Sequence, residues 1–174
     1  MPIDYEKYIG VTEGFPKPGI SFKDISPLLA DPKAWKSAVN DMVKIASPWK
    51  PDLIIGPESR GFIFGSAMAY AMGCGFVMAR KKGKLPGQVA RKTYTLEYAE
   101  ATIEMPALAV KKGQRVVLVD DLLATGGTLK AVEELVESLG GKVVGALTFI
   151  ELTNLNGKQV FTSYPYASIL KLSE

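Results

Sequence analysis

Val116-Val117-Leu118-Val119-Asp120-Asp121-Leu122-Leu123-Ala124-Thr125-Gly126-Gly127-Thr128 is the most informative stretch of this chain. Its apolar opening reads as a buried strand. The strand delivers two adjacent carboxylates to the carboxyl edge of a sheet. A short turn with two glycines and two threonines then opens a helix. Glycines let a ligand approach the backbone closely, and free N–H groups at a helix start favour an anion. Ala124, Thr125, Gly126, Gly127 and Thr128 therefore spell a phosphate cradle. Asp120 and Asp121 cannot face the same phosphate, because like charges repel. They suit the hydroxyls of a ribose, or a magnesium ion met directly or through water. The pattern suggests a ribose 5-phosphate. It is not a Walker P-loop, since the Gly-Lys-Ser/Thr ending is absent, nor a Gly-x-Gly-x-x-Gly dinucleotide fingerprint.

Outward from this stretch the chain alternates strands and helices. Gln114 to Val119 forms the strand, and a helix runs from about Thr128 to Leu139, capped by Gly140-Gly141. Val143 to Ile150 is a further strand. Upstream, Asp52 to Gly56 reads as a buried strand and Arg60 to Met72 as a helix. Phe76 to Ala79 is the next buried strand. Gly61 to Ala79 carries no charge, but four glycines interrupt it, so it is a helix ending at Gly73 and a strand rather than a membrane span. Arg80 to Gly87 is basic and glycine-rich. Tyr94, Leu96 and Tyr98 alternate with polar residues, which suggests a two-stranded excursion from the main sheet. Asp31-Pro32 reads as an N-cap and first helical position, and Trp35, Val39, Met42, Val43 and Ala46 recur at helical spacing. The first 30 residues are rich in Pro and Gly and form a loop-rich cap after a possible short helix near Ile3–Ile9. The order predicts an α/β fold with a mainly parallel sheet flanked by helices. Its ligand belongs beyond the carboxyl ends of the strands.

Composition narrows the chemistry. The chain has 174 residues, 47% hydrophobic and 22% charged, which suits one domain spanning 1–174. Its net charge of +3 gives no special reason to expect a nucleic-acid partner. There is no histidine, so Ser-His-Asp and Cys-His catalysis and histidine-bound zinc are excluded. Cys74 is the single cysteine, so neither a disulfide nor a cysteine metal cluster forms within the chain, and a reducing, cytoplasmic compartment is expected. The N-terminus lacks the basic and apolar regions of a signal peptide. No membrane association is expected.

Several motifs accompany the central one, in order. They are Phe15-Pro16-Lys17-Pro18-Gly19-Ile20-Ser21-Phe22-Lys23-Asp24-Ile25-Ser26-Pro27-Leu28-Leu29, Gly56-Pro57-Glu58-Ser59-Arg60-Gly61-Phe62, and Arg80-Lys81-Lys82-Gly83-Lys84-Leu85-Pro86-Gly87. Thr95-Leu96-Glu97-Tyr98 stands where Ser-x-Leu-Glu-Tyr would match in full. Together these segments resemble the type I phosphoribosyltransferases over essentially the whole chain, and within that family the members acting on adenine.

The resemblance implies the type I phosphoribosyltransferase fold, with a hood at about 1–30 and a flexible lid at about 80–104. It implies displacement of pyrophosphate from phosphoribosyl pyrophosphate by adenine, giving AMP and pyrophosphate, with magnesium as cofactor and a homodimer as the assembly. Charge builds on the departing pyrophosphate, so cations and N–H groups are needed there. Glu58, Ser59 and Arg60 form one candidate group, and Arg80, Lys81 and Lys84 the other. Ser21, Phe22, Arg60, Leu122 and Leu123 are expected around adenine, with Phe22 stacking or packing in the core. Lys23 is expected to aid phosphate binding. Glu97 is the expected catalytic side chain, an acid toward ring nitrogen N7. Magnesium would be held by ligand oxygens and water, so no residue is assigned as a metal ligand. Hypoxanthine and guanine enzymes of the family typically carry an acid where this chain has Ala124, which argues against a 6-oxopurine. Transfer to another base such as xanthine or orotate, or non-catalytic sensing of phosphoribosyl pyrophosphate, are the alternatives.

Overall fold

The computed structural model describes residues 2–96 and 99–173. Seven strands form the main sheet in the order β5-β6-β4-β3-β7-β8-β9. Strands β3 (Leu53–Pro57), β4 (Gly75–Lys81), β7 (Arg115–Leu123), β8 (Lys142–Leu152) and β9 (Tyr166–Leu172) run parallel. Strand β6 (Ala99–Pro106) pairs antiparallel with β4, and β5 (Val89–Leu96) antiparallel with β6. β3 is buried throughout and β8 from Val143 onward, which is why both read as unbroken apolar runs rather than alternating ones.

Helices cover both faces. Helices α1 (Ser26–Ala30), α2 (Pro32–Ala46) and α3 (Arg60–Met72) share one core layer with the sheet, centred on Leu28, Met42, Phe64, Met68, Val117, Val119 and Phe149. Phe64 stacks on Phe149 at 5.3 Å. Helix α4 (Gly127–Ser138) covers the other face, where Leu129, Val132 and Val136 meet Ile55, Val116, Leu118 and Met105. Asp31 caps α2 as its sequence predicts, accepting from the Lys33 and Ala34 N–H groups at 3.0 and 2.8 Å, with Pro32 behind it. The uncharged run from Gly61 divides into the 13-residue α3, which ends at Gly73, and β4. No helix among the described residues is long and apolar enough to cross a membrane.

Three local expectations need correction. The loop-rich N-terminal segment contains a hairpin, β1 (Gly10–Glu13) with β2 (Ser21–Asp24), forming its own two-stranded sheet. Strand β4 is not buried along its length. Only Ala79 is, and Met78 is 42% exposed, because β6 pairs with β4 only at Arg80 and Lys81. Strand β7 continues past Val119 to Leu123. Its partner β8 stays in register there, matching Asp120 with Thr148 and Leu122 with Ile150, so the acid pair lies inside the strand. The two-stranded excursion is present as β5 and β6, though joined to the sheet through β4; Tyr98 lies outside the described residues.

Replacing the α2 cap, Asp31→Ala, is expected to lower stability by about 1 kcal/mol. The urea unfolding midpoint should fall with an unchanged slope, and an unmoved midpoint would show that the cap is redundant.

Candidate active site

The carboxyl ends of β3, β4 and β7 bring three segments together. β3 turns directly into α3, and two glycines allow the helix start to rest on the sheet. A Cβ on Gly61 would lie 2.8 Å from Pro57 Cδ and 3.0 Å from Asp120 Oδ1, so only glycine permits this approach. The result is that Arg60 reaches across to β7. Its Nε lies 2.9 Å from Asp121 Oδ2. This is an ion pair of close charges rather than an aligned hydrogen bond, since among the described residues Oδ2 accepts no N–H in good geometry. Arg60 Nη1 also donates to the Lys23 carbonyl at 3.3 Å, and its guanidinium lies 4.9 Å from the Phe22 ring centre.

Asp120 and Asp121 therefore divide their tasks. Asp120 lines the turn cavity with Thr125, Gly126, Gly127 and Thr128, a space of about 110 Å³. Its Oδ1 accepts from the Asp121 N–H at 2.8 Å. Asp121 is buried and directed at Arg60. Burial pushes the Asp120 carboxyl well above the usual carboxylate range, and the charge of Asp121 adds to it. Burial also raises Asp121, with Arg60 pulling it back. Asp120 thus borders the turn cavity, while Asp121 is directed at Arg60.

Within the turn, Gly126 has a φ of 85° and packs under Gly157 and Val160, where a Cβ would come within 2.8 Å of both. Gly127 differs, because a Cβ there meets nothing in the protein closer than 3.8 Å. Thr125 is exposed, and α4 begins at Gly127, so its first N–H groups open onto this turn.

The basic loop after β4 is held by buried carboxylates. Arg80 Nε lies 3.2 Å from Glu58 Oε1, which also accepts from the Lys81 N–H at 2.7 Å. Arg80 Nη1 donates to the Lys84 carbonyl at 3.3 Å. Glu58 itself offers an anion nothing: its N–H donates to the Ala79 carbonyl at 2.8 Å, and its carboxylate is the counterion of Arg80. Its carboxylate thus positions Arg80 and the Lys81 amide. Ser59 stands at the N-cap of α3, next to Arg60. Lys81 and Lys84 are exposed.

The hairpin forms the remaining wall. Phe22 is half-buried, meets Phe15 edge-on at 5.2 Å, and lines a cavity of about 550 Å³ with Arg60, Ile25, Leu29 and Ile63. Phe22 is thus a cavity wall and not a core residue. Ser21 Oγ donates to Glu13 Oε1 at 2.8 Å and accepts from Lys23 Nζ at 2.9 Å. Lys23 is buried, borders a small cavity with Ile9 and Leu172, and spends one ammonium hydrogen on Ser21 Oγ. Leu122 and Leu123 line the turn cavity and not the Phe22 cavity, Leu123 within the α4-side core and Leu122 against the opposite layer. Glu97 lies outside the described residues.

Two polar residues escaped sequence reasoning. Glu104 is 2% exposed, accepts from the Gly83 N–H at 2.7 Å and pairs with Arg91 at 3.1 Å, so it anchors the basic turn. Tyr94 places its hydroxyl 3.1 Å from Thr128 Oγ1. Charge alone assigns Glu104 a surface position, and the alternation that includes Tyr94 marks a strand without naming the helix it meets.

Comparison with known proteins agrees with this geometry. Residues 29–171 match the model of the phosphoribosyl transferase domain. An adenine phosphoribosyltransferase of Desulfitobacterium hafniense is 50% identical over 169 residues, 97% of this chain and 98% of the relative. The crystal structure of adenine phosphoribosyltransferase from Thermoanaerobacter pseudethanolicus superposes with a TM-score of 0.95 at 46% identity, covering 97% of this chain and 98% of that one. The Saccharomyces cerevisiae enzyme, complexed with adenine and an imino-altritol bisphosphate, does so with a TM-score of 0.89 at 34% identity, covering 96% and 97%. A family model over most of the chain, and relatives half identical across nearly their whole length, establish that this chain belongs to the phosphoribosyltransferase family, among its adenine phosphoribosyltransferases.

Proposed function

We propose that this chain transfers the 5-phosphoribosyl group from phosphoribosyl pyrophosphate to adenine, giving AMP and pyrophosphate in purine salvage. One observation carries the reading. Arg60 touches the Phe22 cavity at its guanidinium and Asp121 at its Nε, one residue from Asp120 in the cradle wall. A base cavity and a sugar-phosphate cradle are thereby fixed relative to each other by a single side chain. The adenine complex of the yeast relative supports the choice of base.

In this reading the N–H groups and hydroxyls of Ala124–Thr128 take the 5′-phosphate, and Asp120 accepts from the ribose hydroxyls. Adenine lies against Phe22 and Arg60, with residues 1–30 as hood and Ser21 at its margin. The bond from the anomeric carbon to pyrophosphate oxygen breaks as the bond to adenine nitrogen forms. Arg80, Lys81 and Lys84, with the loop at Ser59, stabilise the charge that leaves. Residues 80–104 act as lid, excluding water that competes with adenine. Glu97 serves at N7, where its carboxylate takes the proton that adenine gives up as N9 bonds to the anomeric carbon, and where its carboxyl returns that proton as an acid in the reverse direction.

Among the described residues no three His, Cys, Asp or Glu side chains gather to hold a metal. Magnesium would be carried by pyrophosphate oxygens and water, with Asp120 the carboxylate bordering the cradle, and would supply countercharge to the leaving group. A cytoplasmic homodimer completes the proposal. The exposed Ile63 and Tyr70, seven residues apart on α3, give a second copy an apolar face to cover.

The direct test is pyrophosphate release from phosphoribosyl pyrophosphate and magnesium with adenine, hypoxanthine, guanine, xanthine or orotate in turn. Release with adenine alone is expected. Release only with another base would overturn the base assignment, and silence with all of them would overturn the reaction.

Gly127→Val should fold normally, because the protein leaves room for it, yet weaken ribose 5-phosphate binding about tenfold or more by displacing charge-assisted hydrogen bonds. Calorimetry with unchanged affinity would remove the cradle from the phosphate. The two acids should separate in the same assay. Asp120→Asn should raise KM for phosphoribosyl pyrophosphate roughly tenfold by exchanging a carboxyl oxygen for an amide donor, while Asp121→Asn, which frees Arg60, should chiefly raise KM for adenine. Identical profiles for the two variants would contradict the division of labour.

A further inference from the structure

Tyr94 touches the proposed phosphate turn from outside the segment that forms it. Its hydroxyl lies 3.1 Å from Thr128 Oγ1, and either oxygen can be the donor. Its ring would come within 3.9 Å of a Cβ on Gly127. Tyr94 and Ala90 pack on the α4-side core, and Lys92 between them pairs with Glu134 of α4 at 2.7 Å. By the strand's period of two, residues 90, 92 and 94 form the face of β5 that rides on α4. Thr128 also borders two spaces. One is the turn cavity, and the other is a groove of about 590 Å³ lined by Lys81, Lys82, Tyr94 and Leu96.

We infer that Tyr94 is a positioning residue that couples an occupied phosphate cradle to the seating of β5 on α4. The inference rests on the reading above, in which Thr128 donates to the 5′-phosphate. A hydroxyl has one proton to give and two lone pairs to accept with. With the cradle empty, Tyr94 and Thr128 can exchange donor and acceptor roles. A phosphate oxygen claims the Thr128 proton. Thr128 must then accept, and Tyr94 must donate. The two bonds line up from phenol to threonine to dianion, and each polarises the other. Phosphate binding thus tightens the hold of α4 on β5 at a point three residues before Glu97 in the sequence.

The test is hydrogen exchange of the β5 amides with and without ribose 5-phosphate, in the parent protein, Tyr94→Phe, Thr128→Val and the double variant. In the parent, the ligand should slow exchange at Lys92–Leu96 by about fivefold, the effect of one net hydrogen bond. Tyr94→Phe keeps the ring and its packing. It should bind ribose 5-phosphate within about twofold of the parent yet lose the slowing, and its kcat should fall about fivefold with little change in KM for phosphoribosyl pyrophosphate. In the double variant the loss of slowing should equal that of either single variant. Slowing that survives in Tyr94→Phe, or losses that simply add, would overturn the coupling. Should the tyrosine variant fail to fold, Thr128→Val measured at saturating ribose 5-phosphate, since it also loses a phosphate donor, takes its place: slowing that survives there would overturn the coupling. A parent that binds no ribose 5-phosphate would overturn coupling and cradle together. A parent that releases no pyrophosphate with adenine but shows the full exchange pattern would uphold the coupling and overturn the assigned reaction.

Discussion

A buried carboxylate facing a guanidinium is costly to desolvate and costlier to leave alone, and the pair of Asp121 and Arg60 organises this site around that fact. Each group is tied to a different part of the chain. Asp121 belongs to β7, Arg60 opens α3, and Arg60 also holds the carbonyl of Lys23 in the hairpin. Removing either charge would leave the other without its counterion, so three segments distant in sequence are fixed to one geometry. The pairing depends in turn on Gly61, since any side chain there would lift the helix from the sheet and carry Arg60 out of reach.

The same logic recurs at lower burial around the basic loop. Glu58 holds Arg80 and the Lys81 amide, and Glu104 holds the Gly83 amide and Arg91. Carboxylates thus organise a cationic surface without themselves meeting an anion. That arrangement keeps long side chains ordered before a ligand arrives, which lessens the conformational entropy lost on binding.

What could be read from the sequence was what short spans determine. The cap at Asp31, the extent of α3, and the strand-turn-helix at Asp120–Thr128 follow from local chemistry, and the sequence motifs identified the family. What could not be read depends on partners far along the chain. The hairpin of β1 and β2 needs pairing across the Pro-rich segment between them, and no alternation marks it. Lys23 entered the site only through the family resemblance, and the hydrogen bond of its ammonium to Ser21 Oγ is not visible in the sequence. Glu58 sat in the right motif, but its role follows from Arg80, 22 positions away. The alternation of Tyr94 and Leu96 marked a strand, but not that α4 lies against Tyr94.

The register that sets Arg80 opposite Glu104 brings the two ends of the intervening excursion side by side at the margin of the sheet. A segment whose ends are already joined can change length with little consequence for the body it leaves, because loop-closure entropy grows only slowly with length. Over evolution, or at the bench, the stretch between Lys84 and β5 is accordingly the part of this excursion freest to lengthen, shorten or be exchanged, since β5 itself is tied to α4 by Tyr94 and Lys92. Substrate access could be retuned there while the parallel strands, the ion pair and the cradle keep their places.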